Sequence, residues 1–350
     1  MSIKNNDGLL EKWIENKLNI KIKKRIGKGA FGSVYLVLLN NYNLVMKLFN
    51  HKLKNENKIK IKNEIKIILN CKSSYIIKGL KEKTLEYNKE KIQILLMENA
   101  KFQDLNIFFY NYFFKNLIMV FINTKQFEWI NKFPEIGINY FSYQIVKSLE
   151  ILNLHSITHF DIKLANLLLC ENFAVKLSDF SLSQLYKINE KKQINLSIGT
   201  YNYMGPEYYE KNAQVISTSS NKIDFFALGC ILYYMINKES LIKRKKDENK
   251  NNIQSSKNDI INFINKGIKK IISININNQL KNLVIKLINP EIKNRPSIIE
   301  ISDCEWINKY KDNIKKIISI NFEQDIKILI EFLKFKSLSK IKKKRKKYKI

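Results

Sequence analysis

The sequence predicts an α+β fold of two unequal lobes: a small, strand-rich N-terminal lobe carrying one long helix, then a larger, mainly α-helical lobe. Three observations predict it. Short apolar runs with turn signals between them fill residues 21–49 and recur at 91–98, as strands require. From there onward the apolar residues recur mainly at helical spacing. The chain has 350 residues, 45% of them hydrophobic, so it can bury a sizeable core. Ten glycines and four prolines exclude collagen-like and proline-rich architectures.

The elements follow in order. Residues 21–26 and 33–39 read as strands flanking a glycine-containing turn, and Asn40-Asn41 turns the chain into a third strand at 43–49. Residues 56–70 read as a helix with Ile61, Ile65, Ile68 and Leu69 apolar, and 91–98 as another strand. An aromatic run at 105–133 and a polar stretch at 242–258 read as inserts. Asn106, Asn111, Lys115 and Asn116 interrupt 105–122, whereas a spanning helix needs about 20 mostly apolar residues. We therefore expect a buried or interfacial helix there and no transmembrane segment. Ile326, Leu329, Ile330 and Leu333 predict a C-terminal helix, capped near Asn321 and Gln324 and followed by the basic run KIKKKRKKYKI at 340–350.

Lys plus Arg number 62 against 32 Asp plus Glu, a formal charge of +30. A solvated lysine surface and attraction to an anionic partner both account for it. The basic tail likewise reads as a solvated segment or as one that seeks an anionic partner. Cys71, Cys170, Cys230 and Cys304 lie far apart, with no C-x-x-C pair, so neither a zinc site nor a disulfide framework is indicated and a reducing compartment fits. The first residues carry no apolar secretory core. Cytoplasm or nucleus is the expected location.

Four motifs carry chemistry. Gly27, Lys28, Gly29 and Gly32 lie in G-x-G-x-x-G-x-V between two predicted strands. Glycines there let backbone N–H groups approach phosphate oxygens, and the strand that follows disfavours a dinucleotide-type turn, which should open a helix. LVMK places Lys47 on the third strand, and Glu64 on the next helix can hold it. HFDIKLAN brings Asp161, Lys163 and Asn166 within five residues, offering a proton acceptor, a cation for phosphate charge and an amide oxygen for magnesium. Asp179, thirteen residues on in LSDFS, supplies a second oxygen ligand.

In this order, together with GTYNYMGPE (199–207), DFFALG (224–229) and NRP (294–296), these motifs resemble those of the eukaryotic protein kinases, serine/threonine type, over about 20–310. The resemblance implies a kinase domain at 20–310, with lobes at 20–98 and 101–310, between an N-terminal extension (1–19) and a C-terminal helix and basic tail (311–350). It implies ATP and Mg2+ as cofactors and protein substrates as partners. The glycine-rich loop would cover the phosphates; Lys47, paired with Glu64, would contact the α- and β-phosphates. Asp161 would be the catalytic base or hydroxyl-orienting group, Lys163 would steady the γ-phosphate, and Asn166 and Asp179 would bind magnesium. Val34, Val45 and Leu168 would sandwich adenine beside Met97 and the hinge at Glu98 to Ala100, and Asp104 would hold the ribose. Glu207 and Arg295 would form a buried ion pair, and Asp224 would tie down the catalytic loop. Lys163 and Thr200 favour serine and threonine over tyrosine as acceptors.

Departures from the pattern carry their own expectations. Phe160 stands where the family has an arginine that pairs with a phosphorylated loop, so activity should not require that phosphorylation. Ser197 is a candidate phosphosite or an ordinary loop serine. Ser181 replaces a glycine and should stiffen the DFS segment. Val45 replaces an alanine over the base, and Gly205 replaces an alanine with little expected effect. The main alternative is a pseudokinase scaffold that binds nucleotide or partners without catalysis.

Overall fold

Three tight hairpins organise the N-terminal lobe. In this computed structural model, which describes residues 4–50, 55–100, 104–110, 135–170, 174–187, 190–193, 198–210, 214–243 and 256–309, strands β1 (Lys21–Gly29), β2 (Gly32–Leu39), β3 (Tyr42–Phe49), β4 (Gly79–Tyr87) and β5 (Glu90–Glu98) form one antiparallel sheet. Their order is β1-β2-β3-β5-β4. Asn40 and Asn41 turn β2 into β3 with φ of +47° and +67°, the left-handed pair that a two-residue hairpin needs and asparagine tolerates. Gly32 closes the β1–β2 turn; a Cβ there would collide with the Leu48 carbonyl.

The strand period gives the sheet two faces. Val34 pairs with Lys47, Leu36 with Val45, and Val45 with Met97, so these side chains share one face. That face meets helix α2 (Asn55–Asn70), whose buried Ile61, Ile65 and Ile68 join the same core as Leu95 and Met97. Tyr35, Val37, Met46, Leu48, Ile92, Ile94 and Leu96 point the other way. Helix α1 (Lys4–Leu18) covers them: Ile14 is fully buried, the Trp13 ring packs at a tilt against Tyr87 with centroids 4.9 Å apart, and Glu15 accepts a hydrogen bond from the Ile22 amide.

Two of these elements were not foreseen. α1 lies in what reads as an N-terminal extension, but an apolar outer sheet face must be covered, and α1 covers it. β4 is an edge strand with burial on few positions, so its residues lack the alternation that betrays a strand.

The larger lobe is built around helix α5 (Ser217–Asn237), in which every residue from Ile223 to Tyr233 is buried. A helix that is apolar all round belongs at the centre of a core. Helix α4 (Glu135–Leu154) packs beside it, and α6 (Lys257–Ser273), α7 (Asn278–Leu287), α8 (Ile298–Ser302) and α9 (Glu305–Asn308) complete the lobe. Ser256 with Asp259, and Ser297 with Glu300, form capping boxes that start α6 and α8. The predicted polar insert is therefore shorter than 242–258, since α6 begins at Lys257.

Of the aromatic run, Leu105–Tyr110 forms helix α3, whose Phe108 and Phe109 pack edge-on against Phe141 of α4, each at 5.5 Å. Residues 111–134, Ser197, the predicted C-terminal helix and the basic tail lie outside the described residues. Among the described residues no helix is long and apolar enough to cross a membrane, and no group of three His, Cys, Asp or Glu can hold a metal.

Candidate active site

A short two-stranded pair, β6 (Ile157–Thr158) with β9 (Gln184–Leu185), and a hairpin of β7 (Leu167–Leu169) with β8 (Val175–Leu177) hold the HFDIKLAN segment between them. Asp224, buried in α5, accepts hydrogen bonds from the amides of His159 (2.7 Å) and Phe160 (2.9 Å). These bonds hold Phe160 at φ +65°, a region that a bulky residue enters only under constraint. Burial raises the Asp224 carboxyl to about 7 against the pull of the two amides. His159 is fully buried. Its Nδ1 accepts from the Asp161 amide (3.2 Å) and its Nε2 lies 3.1 Å from the Ser178 carbonyl, so the neutral Nε2–H tautomer satisfies both. Burial lowers its pKa and outweighs the nearby Asp161 and Asp179.

Asp161 is the focus of a polar cluster. Lys163 Nζ donates to its Oδ2 (2.7 Å) and to Thr200 Oγ1 (2.9 Å), and the Thr200 hydroxyl donates to Asp161 Oδ1 (2.7 Å). Asn166 Nδ2 donates to the Asp161 carbonyl (2.8 Å) and to Oδ2 (3.1 Å). With its amide nitrogen spent there, Asn166 keeps Oδ1 as its acceptor. The β7–β8 hairpin then returns the chain: Leu167 pairs with Leu177, and both the amide and hydroxyl of Ser178 bond the Asn166 carbonyl at 2.9 Å. Asp179 follows directly, at φ +61°.

Lys47 joins this end of the molecule to the sheet. It is buried, pairs with Glu64 of α2, and lies 3.5 Å from Asp179 Oδ1. Burial disfavours its charge, but two carboxylates face it and hold its pKa above the ordinary lysine value. Burial raises Glu64, with Asp179 adding to that and Lys47 opposing it. We take the pair as charged, because Lys47 is shared between two acids. Burial also works against the Asp179 carboxylate, yet Lys47 and the Ser181 hydroxyl hold its pKa below the usual value. The serine that departs from the DFG pattern thus bonds the aspartate two residues before it. Phe180 is fully buried, edge-on to His159 at 5.0 Å.

Other expected residues fall as follows. Val34 and Val45 share the Lys47 face of the sheet, with Met97 opposite Val45. Leu168 sits on β7, and Ala100 and Glu98 are partly exposed at the end of β5. Gly27 pairs with Val34 and Lys28 with Ser33, so Lys28 falls on the opposite face. There it lines a cavity of about 210 Å3 with Leu10 and Glu11 of α1, and only its backbone is left for the Lys47 side. The space beside Gly29, where a side chain would stand, holds no atom within 4 Å. Protein packing therefore gives no reason for glycine at this position. Asp104 accepts from the Ile107 amide (3.0 Å), capping α3, and bridges to Leu168.

Phe160 packs with Tyr186, Met204, Tyr208 and Ile223 in an apolar cluster, its ring stacked on Tyr186 at 6.4 Å. Arg295 and Glu207 form the second buried ion pair, at 2.8 and 2.6 Å. Gly205, expected to differ little from alanine, lies against the ends of this pair. A Cβ on Gly205 would run into Glu207 Oε2 and stand 2.7 Å from Oε1 and 2.8 Å from Arg295 Nη2, so the pair fills the space of the missing methyl group.

A family model described as "Protein kinase domain" matches residues 20–307. The chain is 26% identical over 302 residues to "Probable serine/threonine-protein kinase nek3" of Dictyostelium discoideum, covering 82% of this chain and 23% of that protein. It is 33% identical over 121 residues to "G protein-coupled receptor kinase 2" of Caenorhabditis elegans (35% of this chain, 16% of the other). To "Carbon catabolite-derepressing protein kinase" of Candida glabrata it is 26% identical over 225 residues (62% and 32%). The matched regions span less than a third of each of these relatives' length. Because the family match runs through both lobes and contains every residue of the polar cluster, the chain belongs to the protein kinase family.

Proposed function

We propose that the protein is an active serine/threonine kinase that transfers the γ-phosphoryl group of ATP to Ser and Thr hydroxyls of protein substrates. The observation that carries this reading is the hydrogen-bonded set of Asp161, Lys163, Thr200 and Asn166 facing the Lys47–Glu64 and Asp179 charges. Phosphoryl transfer asks the protein mainly for positioning and charge neutralisation, and each needed group has a fixed neighbour.

Asp161 would orient the acceptor hydroxyl and take its proton. Its Oδ1 is engaged by the Thr200 hydroxyl, which leaves that oxygen a further lone pair for the incoming alcohol. Lys163 would bring positive charge to the phosphoryl oxygens while tethered to Asp161. Lys47, set by Glu64, would meet the α- and β-phosphates beneath the open space at Gly29. Val34, Val45 and Leu168 would enclose the base, Glu98 to Ala100 would read its edge, and Asp104 would face the ribose. Asn166 Oδ1 and the Asp179 carboxylate, which is held ionised, are hard oxygen donors of the kind Mg2+ prefers, so the residues fit that ion. When bound, Mg2+ neutralises phosphate charge.

Serine and threonine as acceptors are supported by the Lys163–Thr200 contact and by the name of one distant relative, a probable serine/threonine-protein kinase. The apolar packing of Phe160 supports activity without loop phosphorylation, since that cluster offers no cation to a phosphate. The test is transfer of labelled phosphate to a generic protein acceptor, before and after phosphatase treatment. Asp161→Ala should lower the rate by about 10³-fold with MgATP binding retained. Nucleotide binding without any transfer by the wild type would leave the pseudokinase reading.

A further inference from the structure

Lys176, on β8, has no part in the chemistry above. Its Nζ lies 2.6 and 2.8 Å from the two carboxylate oxygens of Glu98, at the end of β5. Glu98 Oε1 also accepts from the Lys78 amide (2.7 Å), and the Glu98 amide donates to the Lys78 carbonyl (3.0 Å). One carboxylate therefore joins three segments: the end of β5, the approach to β4, and β8. The side chains of Lys176 and Glu98 are 15% and 27% exposed, so water and salt screen this pair less than a surface pair.

Its position gives the pair a function. Lys176 is opposite Leu168 in the hairpin, and residues directly opposite in an antiparallel ladder share a face. Leu168 in turn bridges Asp104. The connection between the lobes is thus anchored at both ends, Glu98 and Asp104, on one rung of the β7–β8 hairpin. Two backbone bonds, Ile77 N to Leu177 O and Leu177 N to Tyr75 O, fasten that hairpin to the N-terminal lobe one residue away. The base, proposed to rest on Leu168 with its edge read by the hinge backbone, would enter a slot whose hinge-to-Leu168 distance this rung sets.

We infer that Lys176 is a positioning residue for the nucleotide base, acting through Glu98 to set the distance between the hinge and Leu168. The inference rests on the nucleotide reading above. Lys176→Met keeps the apolar stem and removes the charge. Calorimetric titration of the full chain with adenosine, MgATP and inorganic tripolyphosphate should show adenosine and MgATP weakened by the same factor, about fivefold to tenfold, and tripolyphosphate unchanged. Lys176→Arg should restore most of the loss. Equal weakening of tripolyphosphate would overturn the inference, because Lys176 would then act as a general cation or on the whole fold. Unchanged adenosine affinity in the folded variant would overturn it as well, with the nucleotide reading intact. Failure of the wild type to bind adenosine or MgATP would bring down both. Should Lys176→Met not fold, Glu98→Gln, which keeps an acceptor for the Lys78 amide, must give the same adenosine-selective loss.

Discussion

Among the described residues, two buried ion pairs differ in how completely they are satisfied. Arg295 lies in the larger lobe. It meets both oxygens of Glu207, donates to the carbonyls of Asn289 (2.9 Å) and Lys222 (3.0 Å), and stacks its guanidinium on Phe226 at 4.6 Å. Lys47 lies in the smaller lobe. It is shared between Glu64 and Asp179, and Glu64 Oε2 has no hydrogen-bond partner among the described residues. A saturated pair in a dry site serves the scaffold, and losing one partner is costly. Lys47, with three ammonium donors and two carboxylates against it, is the less saturated of the two cations.

Three substitutions test that contrast. Arg295→Met should have the largest effect, about 3–5 kcal/mol of stability, because it strands Glu207 and two backbone carbonyls in the core. Urea denaturation would measure it, and a loss below about 1 kcal/mol would erase the distinction between the pairs. Lys47→Met should do the reverse. We expect transfer to fall about 100-fold while the melting temperature changes little, since Glu64, already pushed up by burial, can take a proton. A variant that unfolds as readily as Arg295→Met would place Lys47 in the scaffold. Gly205→Ala tests the tight side of the scaffold pair. A methyl group pressed into Glu207 and Arg295 should cost about 1–3 kcal/mol, and wild-type stability would show that the pair can shift aside.

The smallest effect concerns pH. His159 has a lowered pKa in the folded state, so its contribution is present above the unfolded value of 6.5 and is lost as pH falls. Asp224 is raised from 3.8 to about 7, so its contribution is present below 3.8 and is lost as pH rises through about 7. The two slopes oppose each other below pH 6.5. Asp224→Asn removes one, so between pH 6.5 and 4.5 the variant should lose stability on acidification more steeply than the wild type. Parallel melting curves across that range would show that Asp224 does not titrate there.

The same contrast separates what was legible from what was not. The polar cluster was readable because Asp161, Lys163 and Asn166 are local in sequence, and Lys47, Glu64 and Asp179 follow in a fixed order. The hairpins at Asn40-Asn41 and around Gly32 were readable because their backbone geometry restricts residue type. Helix α1 was not, since its apolar residues acquire meaning only against the outer face of a sheet built from other segments. Nor was β4, an exposed edge with little burial to pattern it.

By itself the sequence determined the family resemblance, the two-lobed α+β class, and the acids, amide and lysines that reach the site, because short-range pattern and residue chemistry are local properties. The tertiary structure alone decided which face of the sheet α1 covers, how Phe160 is held by Asp224 and packed on Tyr186, and which charges are left incompletely paired. Those depend on distances between segments far apart in the chain, and on the removal of water from the space between them.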